Sequence, residues 1–321
     1  MNPLSSMYEA GSRIRNKLYD RELLKSRRLE GPVISIGNLS VGGSGKTPFV
    51  ILLGEMLKAR RIDFDILSRG YGRATRGVAV VDPGGDATEF GDEPLLMARR
   101  LGVPVVLGED RHAAGVLAER RFGAQLHLLD DGFQHRGLAR DFDILLVTPD
   151  DARDRVLPAG RLREPLQGLS RADAVVLTSG AEAKNFPVEG KIVWRLRRGI
   201  IAEGVPTKPV VFCGIARPRN FLAQLRTAGV EPAAEALFRD HHSYREKDIR
   251  DLLALAQAND ADGFVTTEKD AINLGGFLSA LQPLAVIPVK MSLAEGEQAV
   301  DRMLSIVAAR RVTREKIAVS P

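Results

Sequence analysis

The sequence predicts an α/β protein in which helices cover both faces of a mostly parallel sheet. Short apolar runs typical of buried strands alternate with longer stretches typical of helices up to Leu177. A glycine-rich turn stands between the first apolar run and the helical stretch that follows it. The alternation restarts at Pro209, which indicates a second, smaller α/β domain.

The glycine-rich turn is the most informative segment of the chain. It lies between the apolar runs 32–37 and 48–53, so strand, turn and helix start follow in the order that a phosphate-binding loop requires. Its backbone N–H groups would face an anion, Lys46 would reach the outer phosphates, and Thr47 would hold Mg²⁺. The predicted nucleotide-binding residues are Ser40, Val41, Gly42, Gly43, Ser44, Gly45, Lys46 and Thr47.

A purely structural turn is the alternative for this segment. Ser40 replaces the usual first glycine, so the fit is to GGxGKT, and Pro48 would suit a helix start whatever the function. The glycines, Lys46 and Thr47 nevertheless stand in register after a predicted strand. That combination favours binding of a nucleoside triphosphate.

The elements after the turn are expected to complete a core domain over residues 1–196. Together with the phosphate-binding turn they predict a P-loop NTPase-like α/β/α fold. Strands are expected at residues 64–67, 103–107, 126–129, 142–147 and 174–177, and helices at residues 92–100 and 110–122.

A smaller α/β/α domain is expected over residues 197–321. Residues 191–201 have the pattern of a connecting ribbon, with a hinge near residues 197–207. Strands are then expected at residues 209–216, 263–267 and 284–289, and helices at residues 221–229 and 246–259.

Composition narrows the class of protein. The 321 residues are 44% hydrophobic and 27% charged, which is typical of a soluble globular protein of two domains. The lone Cys213 excludes a disulfide framework and a cysteine-cluster metal site. The net charge of +5 suggests an anionic partner, but aromatic residues make up only 5% and no stacking platform is evident, so nucleic acid is not expected.

The N-terminal segment suggests one such anionic partner. It could lie on an anionic bilayer as a basic amphipathic segment, or it could be a solvated helix packed on the core domain. The sequence leaves both open. Its apolar residues Met7, Ile14, Leu18, Leu23 and Leu24 are interleaved with Arg13, Arg15, Lys17, Arg21, Lys25, Arg27 and Arg28.

Two pairs of carboxylates are candidates for chemistry. Asp130 and Asp131 end an apolar strand, where the acidic partner of a P-loop is expected to hold Mg²⁺ directly or through water. Asp92 and Glu93 stand at a predicted helix start. Asp92 could be a base for an acceptor hydroxyl, but the same residues also stabilise a helix N-terminus, and the sequence does not decide between these roles.

Polar clusters outside these pairs are less specific. The cluster 240–244 contains His241 and His242, which could be capping residues or could deliver a histidine to a carboxylate on domain closure. The loop 157–165 carries Arg161 and Arg163, which could clamp a phosphate or simply be solvated.

These pieces together resemble the tetraacyldisaccharide 4′-kinase family of lipid A biosynthesis. The resemblance runs from about Gly31 to about Val289 and rests on seven motifs in order. The motifs are Gly37–Pro48, Ser68–Gly72, Gly91–Pro94, Asp130–His135, Leu157–Gly160, Asp240–His241 and Thr267–Ala271.

The resemblance implies ATP- and Mg²⁺-dependent phosphorylation of the 4′-hydroxyl of a tetraacylated glucosamine disaccharide 1-phosphate. It further implies two α/β/α domains around a cleft and a peripheral location on the cytoplasmic face of the bacterial inner membrane. Family members often carry a more hydrophobic N-terminal helix, whereas the corresponding segment here is short and basic.

The matching motifs also imply residue roles. Asp92 is similar to the family's acceptor base and His241 to its partner across the cleft. Lys46 is similar to the phosphate contact, Thr47 to the Mg²⁺ contact, and Asp130 and Asp131 to the acidic pair beside the metal.

The motifs alone leave one alternative class of protein to a kinase. P-loop switch ATPases of the division-site and partition type bind a partner or a membrane and need no acceptor. They carry a lysine early in the loop, where this chain has Val41. Phosphate transfer to a glycolipid, as opposed to partner-stimulated hydrolysis alone, would separate the two classes.

Overall fold

A computed structural model describes residues 3–319 and confirms the α/β fold class. The strands are β1 Val33–Asn38, β2 Phe64–Ser68, β3 Ala79–Val80, β4 Val105–Leu107, β5 Leu126–Asp130, β6 Phe142–Val147, β7 Ala174–Leu177, β8 Ile192–Ile200, β9 Pro209–Cys213, β10 Ala234–Leu237, β11 Gly263–Thr267, β12 Leu284–Ile287 and β13 Val289–Leu293. The helices are α1 Pro3–Asp20, α2 Lys46–Ala59, α3 Ala87–Phe90, α4 Asp92–Leu101, α5 Arg111–Phe122, α6 Pro218–Thr227, α7 Glu246–Ala258, α8 Glu268–Leu274 and α9 Gly296–Val319.

The parallel strands of the large sheet bring the candidate site residues together at their carboxyl ends. Within the described residues it has nine strands in the order β13-β8-β7-β6-β1-β5-β2-β4-β3, and β1 runs parallel to both β5 and β6. Ile36 of β1 pairs with Asp130 of β5. The turn after β1 and the two aspartates at the end of β5 therefore lie side by side at the carboxyl edge, where open α/β sheets bind ligands.

Helices cover both faces of this sheet, and its central strands are therefore buried throughout. On one face α2, α4 and α9 pack on the strands through residues such as Phe49, Leu95 and Met303. On the other face α5 packs through Ala114 and Ala118. The result is the three-layer core that the alternating pattern predicts.

The small domain repeats the three-layer arrangement. Its parallel sheet has the order β10-β9-β11-β12. Because successive side chains of β9 point to opposite faces, Val211 packs against α6 and Val210 against α7. The second α/β/α domain therefore has its own core on each side of its sheet.

The expected boundary at residues 196 and 197 needs correction. β8 runs unbroken across it, and β13 pairs antiparallel with β8 at the edge of the large sheet. α9 then packs on the large domain, where Val300 and Met303 are fully buried. Residues 289–319 thus return to the large domain, because β13 completes the sheet edge and α9 covers its apolar face.

Helix α1 lies on the outside of the large domain. Its polar side is attached through Arg15, which donates to the Gln134 carbonyl at 3.0 Å, and Asn16, which donates to Glu164 at 2.8 Å. Its apolar residues Met7 and Ile14 point outward, with 71% and 59% of their surface exposed. No helix among residues 3–319 combines the length and apolarity that crossing a bilayer requires.

Candidate active site

The glycine-rich turn forms an anion-binding loop. β1 ends at Asn38 and α2 begins at Lys46, so the helix N-terminus points its free N–H groups at the turn. Gly45 caps the helix with φ 83°, a left-handed conformation that glycine adopts without strain. The loop is anchored by the Val41 N–H, which donates to the Arg161 carbonyl at 2.8 Å.

Lys46 is held beside the strand ends. Its ammonium donates to Asn38 Oδ1 at 2.9 Å and lies 3.4 Å from Asp131 Oδ1. Arg163 donates to both carboxylate oxygens of Asp131, at 2.8 and 3.0 Å. Burial alone would raise the pKa of Asp131, but these two cations hold it below its usual range. Asp131 is thus an anion that positions Lys46.

Asp130 differs from its neighbour. Ser68 Oγ donates to its Oδ2 at 2.9 Å, while the buried Oδ1 has no hydrogen-bond partner in the described residues. Burial, helped by the nearby Glu93 and Asp131, raises the pKa of Asp130 to about 7. A buried carboxylate oxygen without a partner is unfavourable unless a ligand satisfies it.

The residues present fit Mg²⁺. Thr47, almost buried at 7% exposure, supplies a hydroxyl, and Asp130 supplies the unpartnered carboxylate oxygen. Hard cations prefer oxygen ligands, and Mg²⁺ is usually held by one or two protein groups, water and substrate phosphates. Among the described residues, no three or more His, Cys, Asp or Glu side chains cluster as ligands for a metal ion.

The structure brings Asp92 and His241 together across the domain interface. Asp92 is the first residue of α4, after Gly91 with φ 86°, and is only 5% exposed. His241 Nδ1 lies 3.0 and 2.9 Å from the two carboxylate oxygens, and Asn273 donates to one of them at 3.1 Å. Gly91, not Asp92, is the N-cap of α4, so of the helix-start roles only the placement of two acidic residues in the first turn holds.

Each member of this pair shifts the pKa of the other. The pKa of Asp92 is lowered because bonds from His241 and the charge of Lys269 outweigh the effect of burial. The pKa of His241 is raised chiefly by its bond to Asp92.

The backbone of His241 is strained. His241 has φ 59°, and its N–H donates to the Gly214 carbonyl at 3.1 Å. A strained backbone of this kind is typical of functional sites.

His242 has a different environment. Its Nε2 lies 3.0 Å from Asp248, and its ring stacks on Phe238 with 4.5 Å between the centroids. These contacts are internal to the small domain. His242 therefore supports the loop that presents His241.

Two cavities meet at the P-loop. A pocket of about 170 Å³ lies between the loop and the small domain. Gly43 approaches this domain closely, since a Cβ on it would lie 3.1 Å from the Cβ of Ala216. A larger cleft of about 900 Å³ extends from the loop to Asp92, Asp130 and α1. Because Lys46 lines both, a nucleotide in one could meet an acceptor in the other beside this lysine.

The two arginines of the loop 157–165 lie in different places and bind different partners. Arg163 lines the large cleft and binds Asp131. Arg161 does not line the cleft, because its guanidinium binds Asp154 at 2.9 Å and lies 3.4 Å from Asp150. The geometry therefore supports a substrate contact for Arg163 and a structural role for Arg161.

Sequence reasoning missed four polar residues of this site. Lys269 and Asn273 both contact the Asp92–His241 pair, yet they belong to the small domain and carry no local signal of catalysis. Lys269 does fall within a matching motif, Thr267–Ala271, which could have indicated it. Asn38 and Ser68 orient Lys46 and Asp130 from the ends of β1 and β2.

Comparison with known proteins identifies the family. The family model described as tetraacyldisaccharide-1-P 4′-kinase matches residues 1–308. This chain belongs to the tetraacyldisaccharide 4′-kinase family. It is 49% identical over 321 residues to the tetraacyldisaccharide 4′-kinase of Koribacter versatilis, covering 97% of this chain and 100% of the relative. The corresponding protein of Geobacter metallireducens is 40% identical over 94% of this chain and 96% of its own.

A solved structure of the family has the same fold. The chain of LpxK from Aquifex aeolicus, crystallised in complex with ATP, superposes with a TM-score of 0.79 at 36% identity. The match covers 95% of this chain and 97% of the other. The fold and family expected from the sequence are thereby confirmed.

We predict that Arg163→Ala lowers kinase activity by about 10- to 100-fold, because Asp131 loses a partner and the cleft loses a cation. Arg161→Ala is the matched control and should stay within about threefold of wild type, since only its backbone touches the P-loop. Steady-state kcat and KM for a glycolipid acceptor measure both. Equal losses in the two variants would contradict the assignment.

Proposed function

We propose that this protein transfers the γ-phosphoryl group of ATP to the 4′-hydroxyl of a tetraacylated glucosamine disaccharide 1-phosphate. Family membership and the ATP complex of the Aquifex aeolicus relative support the reaction class. The observation that carries the proposal is the Asp92–His241 contact at the edge of the large cleft, across the P-loop from the small pocket.

The nucleotide would use the residues around the loop. Its phosphates would bind the backbone N–H groups before α2 and the ammonium of Lys46, which Asn38 and Asp131 hold in place. Thr47 and Asp130 would hold Mg²⁺, which when bound neutralises charge on the phosphates. Asp131 is committed to Lys46 and Arg163, so Asp130 is the carboxylate we assign to the metal.

The acceptor would enter the large cleft with its hydroxyl toward Asp92. As the hydroxyl oxygen bonds to the γ-phosphorus, the bond to the β-phosphate oxygen breaks, ADP leaves, and Asp92 takes the hydroxyl proton. His241 and Asn273 hold the carboxylate in one orientation. In phosphoryl transfer such positioning matters more than base strength, since the transition state is loose.

A membrane surface would supply the acceptor. Tyr8 and Arg15 of α1 line the large cleft, while Met7 and Ile14 of the same helix point outward. We therefore assign α1 and the basic stretch after it to contact with an anionic bilayer. An acyl-chain substrate lying in that bilayer could then reach the cleft with its sugar.

The direct test of the proposed function is transfer of label from γ-labelled ATP to a tetraacylated disaccharide 1-phosphate. We predict that Lys46→Ala lowers kcat by orders of magnitude, because the loop loses the ammonium that neutralises the transferred group. Circular dichroism checks that the variant folds. Activity within about threefold of wild type would remove the nucleotide-site assignment, and hydrolysis without transfer would favour a switch ATPase.

We predict that Asp92→Ala and His241→Ala each lower kcat strongly while leaving ATP affinity little changed. Because the residues work as a unit, the double variant should be scarcely worse than the poorer single one. A double-mutant cycle on kcat with both substrates saturating measures this coupling. Losses that multiply would show that the two residues act independently. Lys247→Ala, at an exposed lysine of the small domain, is the control and should leave kcat unchanged.

We predict that reversing three exposed charges, Lys17→Glu, Arg21→Glu and Lys25→Glu, releases the protein from anionic vesicles. Each basic residue near such a surface contributes about 1 kcal/mol, so the combined effect exceeds 100-fold at low salt. Co-sedimentation with vesicles of stated phosphatidylglycerol content is the measurement. The control is Lys247→Glu with Arg250→Glu on the small domain, and binding that ignores lipid charge and salt would refute electrostatic docking.

A further inference from the structure

Strand β8 carries an arginine on its core-facing side. Trp194 and Leu196 of this strand are buried in the core of the large domain, because successive side chains of a strand point to opposite faces. Arg195 and Arg197 face the other way and are exposed. Arg198 comes next on the buried side, where the alternation predicts an apolar residue, and it lines the pocket between the P-loop and the small domain.

The register of the sheet edge places Arg198 beside the P-loop. Arg198 pairs with Met291 of β13, so the two side chains lie on the same face of this ribbon. Met291 reaches the loop, since a Cβ on Gly45 would lie 3.1 Å from its Cε. Arg217, just before α6, approaches the loop from the small domain, since a Cβ on Gly43 would lie 3.4 Å from its Nε. Two arginines therefore line one pocket beside the glycine-rich turn.

The charge of Arg198 has no counter-ion in the described part of the chain. None of the described carboxylates forms an ion pair with it, and its buried Nε has no hydrogen-bond partner there. Burial and the charge of Arg217 both lower the pKa of Arg198. Arg217 itself shares the exposed Asp150 with Arg161, at 3.1 and 3.4 Å. Like charges held together away from water are unfavourable unless an anion joins them.

The acidic residues that line the same pocket are paired with other cations. Glu268 forms an ion pair with Arg100. Asp240 accepts a hydrogen bond from Lys269 at 2.9 Å, and Glu93 lies 3.8 Å from the same ammonium. The two arginines beside the turn therefore give this wall of the pocket an excess of positive charge, which suits an anionic ligand.

The P-loop also offers fewer donors than a helix N-terminus usually does. The first N–H groups of an α-helix have no partner within the helix and can bind an anion. The third residue of α2 is Pro48, which has no N–H. A phosphate chain on this loop would therefore lack one hydrogen bond, and guanidinium groups are forked donors that match phosphate oxygens.

The position of the arginines relative to the large cleft indicates which phosphates they would meet. Lys46 lines both the pocket and the cleft that leads to Asp92, so the phosphate to be transferred is expected beside this lysine. Arg198 and Arg217 line the pocket but not the cleft. They are therefore placed for the phosphates that remain in the product ADP.

We propose that Arg198 and Arg217 bind the α- and β-phosphates of the nucleotide and so replace the donor that Pro48 lacks. The inference rests on the proposed function only for the position of the transferred phosphate. A group that binds the phosphates kept in ADP stabilises the bound substrate and the transition state alike. Its loss therefore raises KM for ATP and leaves kcat little changed.

The test compares Arg198→Met and Arg217→Met with Arg197→Met, at an exposed arginine of the same strand as Arg198. Isothermal titration calorimetry measures the affinity for ADP, for a non-hydrolysable ATP analogue and for inorganic tripolyphosphate, which has neither base nor ribose. Steady-state label transfer gives kcat and KM for ATP. Thermal unfolding of the nucleotide-free proteins checks that each variant folds.

We expect Arg198→Met and Arg217→Met each to weaken all three ligands by about 10- to 100-fold, because each removes a charge-assisted hydrogen bond. KM for ATP should rise by a similar factor, with kcat within about threefold of wild type. Arg197→Met should leave every value unchanged. The melting temperature of nucleotide-free Arg198→Met should not fall, because a buried charge without a counter-ion is removed.

Three results would overturn the proposal. One is an ADP affinity within about threefold of wild type in both variants. Another is a loss for ADP without a loss for tripolyphosphate, which would assign the arginines to the base or the ribose. The third is a lower kcat with unchanged ADP affinity, which would place them at the transferred phosphate.

Arg217 keeps the proposal testable if Arg198→Met does not fold, because its side chain is already 25% exposed and tolerates replacement more readily. Failure of the proposed function itself is recognised separately. It would appear as absence of label transfer by the wild-type enzyme, whereas the ADP affinities of all four proteins would still be measurable.

Discussion

The hydrogen-bonded contact between Asp92 and His241 is the interaction on which the rest of the site depends. The two residues are 149 positions apart and belong to different domains. Asp92 is almost completely buried, so its charge is tolerable only while His241, Asn273 and Lys269 satisfy it. Losing one partner of a buried charge typically costs several kcal/mol. The contact therefore fixes the small domain over the P-loop as well as orienting a carboxylate.

The large sheet supplies the other half of the site through its topology. β1 and β5 are parallel neighbours in register, so the turn that carries Lys46 and the turn that carries Asp130 and Asp131 emerge together. The two aspartates then differ because their partners differ. Asp131 is bound by Lys46 and Arg163. Asp130 accepts a hydrogen bond from Ser68, and its other, buried oxygen has no partner in the part of the chain that the structure describes. Adjacent identical residues are thus given separate roles by their surroundings.

What could be predicted from the sequence was largely local. The P-loop and the two aspartates at the end of β5 were predictable because each lies within a few residues of the strand that positions it. The Asp92–His241 pairing came from resemblance to a family, since neither periodicity nor spacing relates residues so far apart. Arg161 and Arg163 could not be separated, because a difference of two positions in an irregular loop decides which guanidinium meets the cleft.

The return of the chain to the large domain was also beyond sequence reasoning. β13 follows β12 after one residue, so the two read as parts of one apolar run, although they belong to different sheets. The contacts of Lys269 could not be predicted for a similar reason. Its partners Asp92, Glu93 and His241 come together only when both domains are in place.

The central claim is that one closed arrangement of the two domains holds the nucleotide phosphates and the Asp92–His241 pair at the same time. A crystal structure of this protein with Mg²⁺ and a non-hydrolysable ATP analogue tests it most directly. We expect the terminal phosphates on the loop N–H groups and Lys46, with Asp92 and His241 still within about 3 Å of each other. A nucleotide bound away from this loop, or a pair separated beyond about 5 Å, would contradict it.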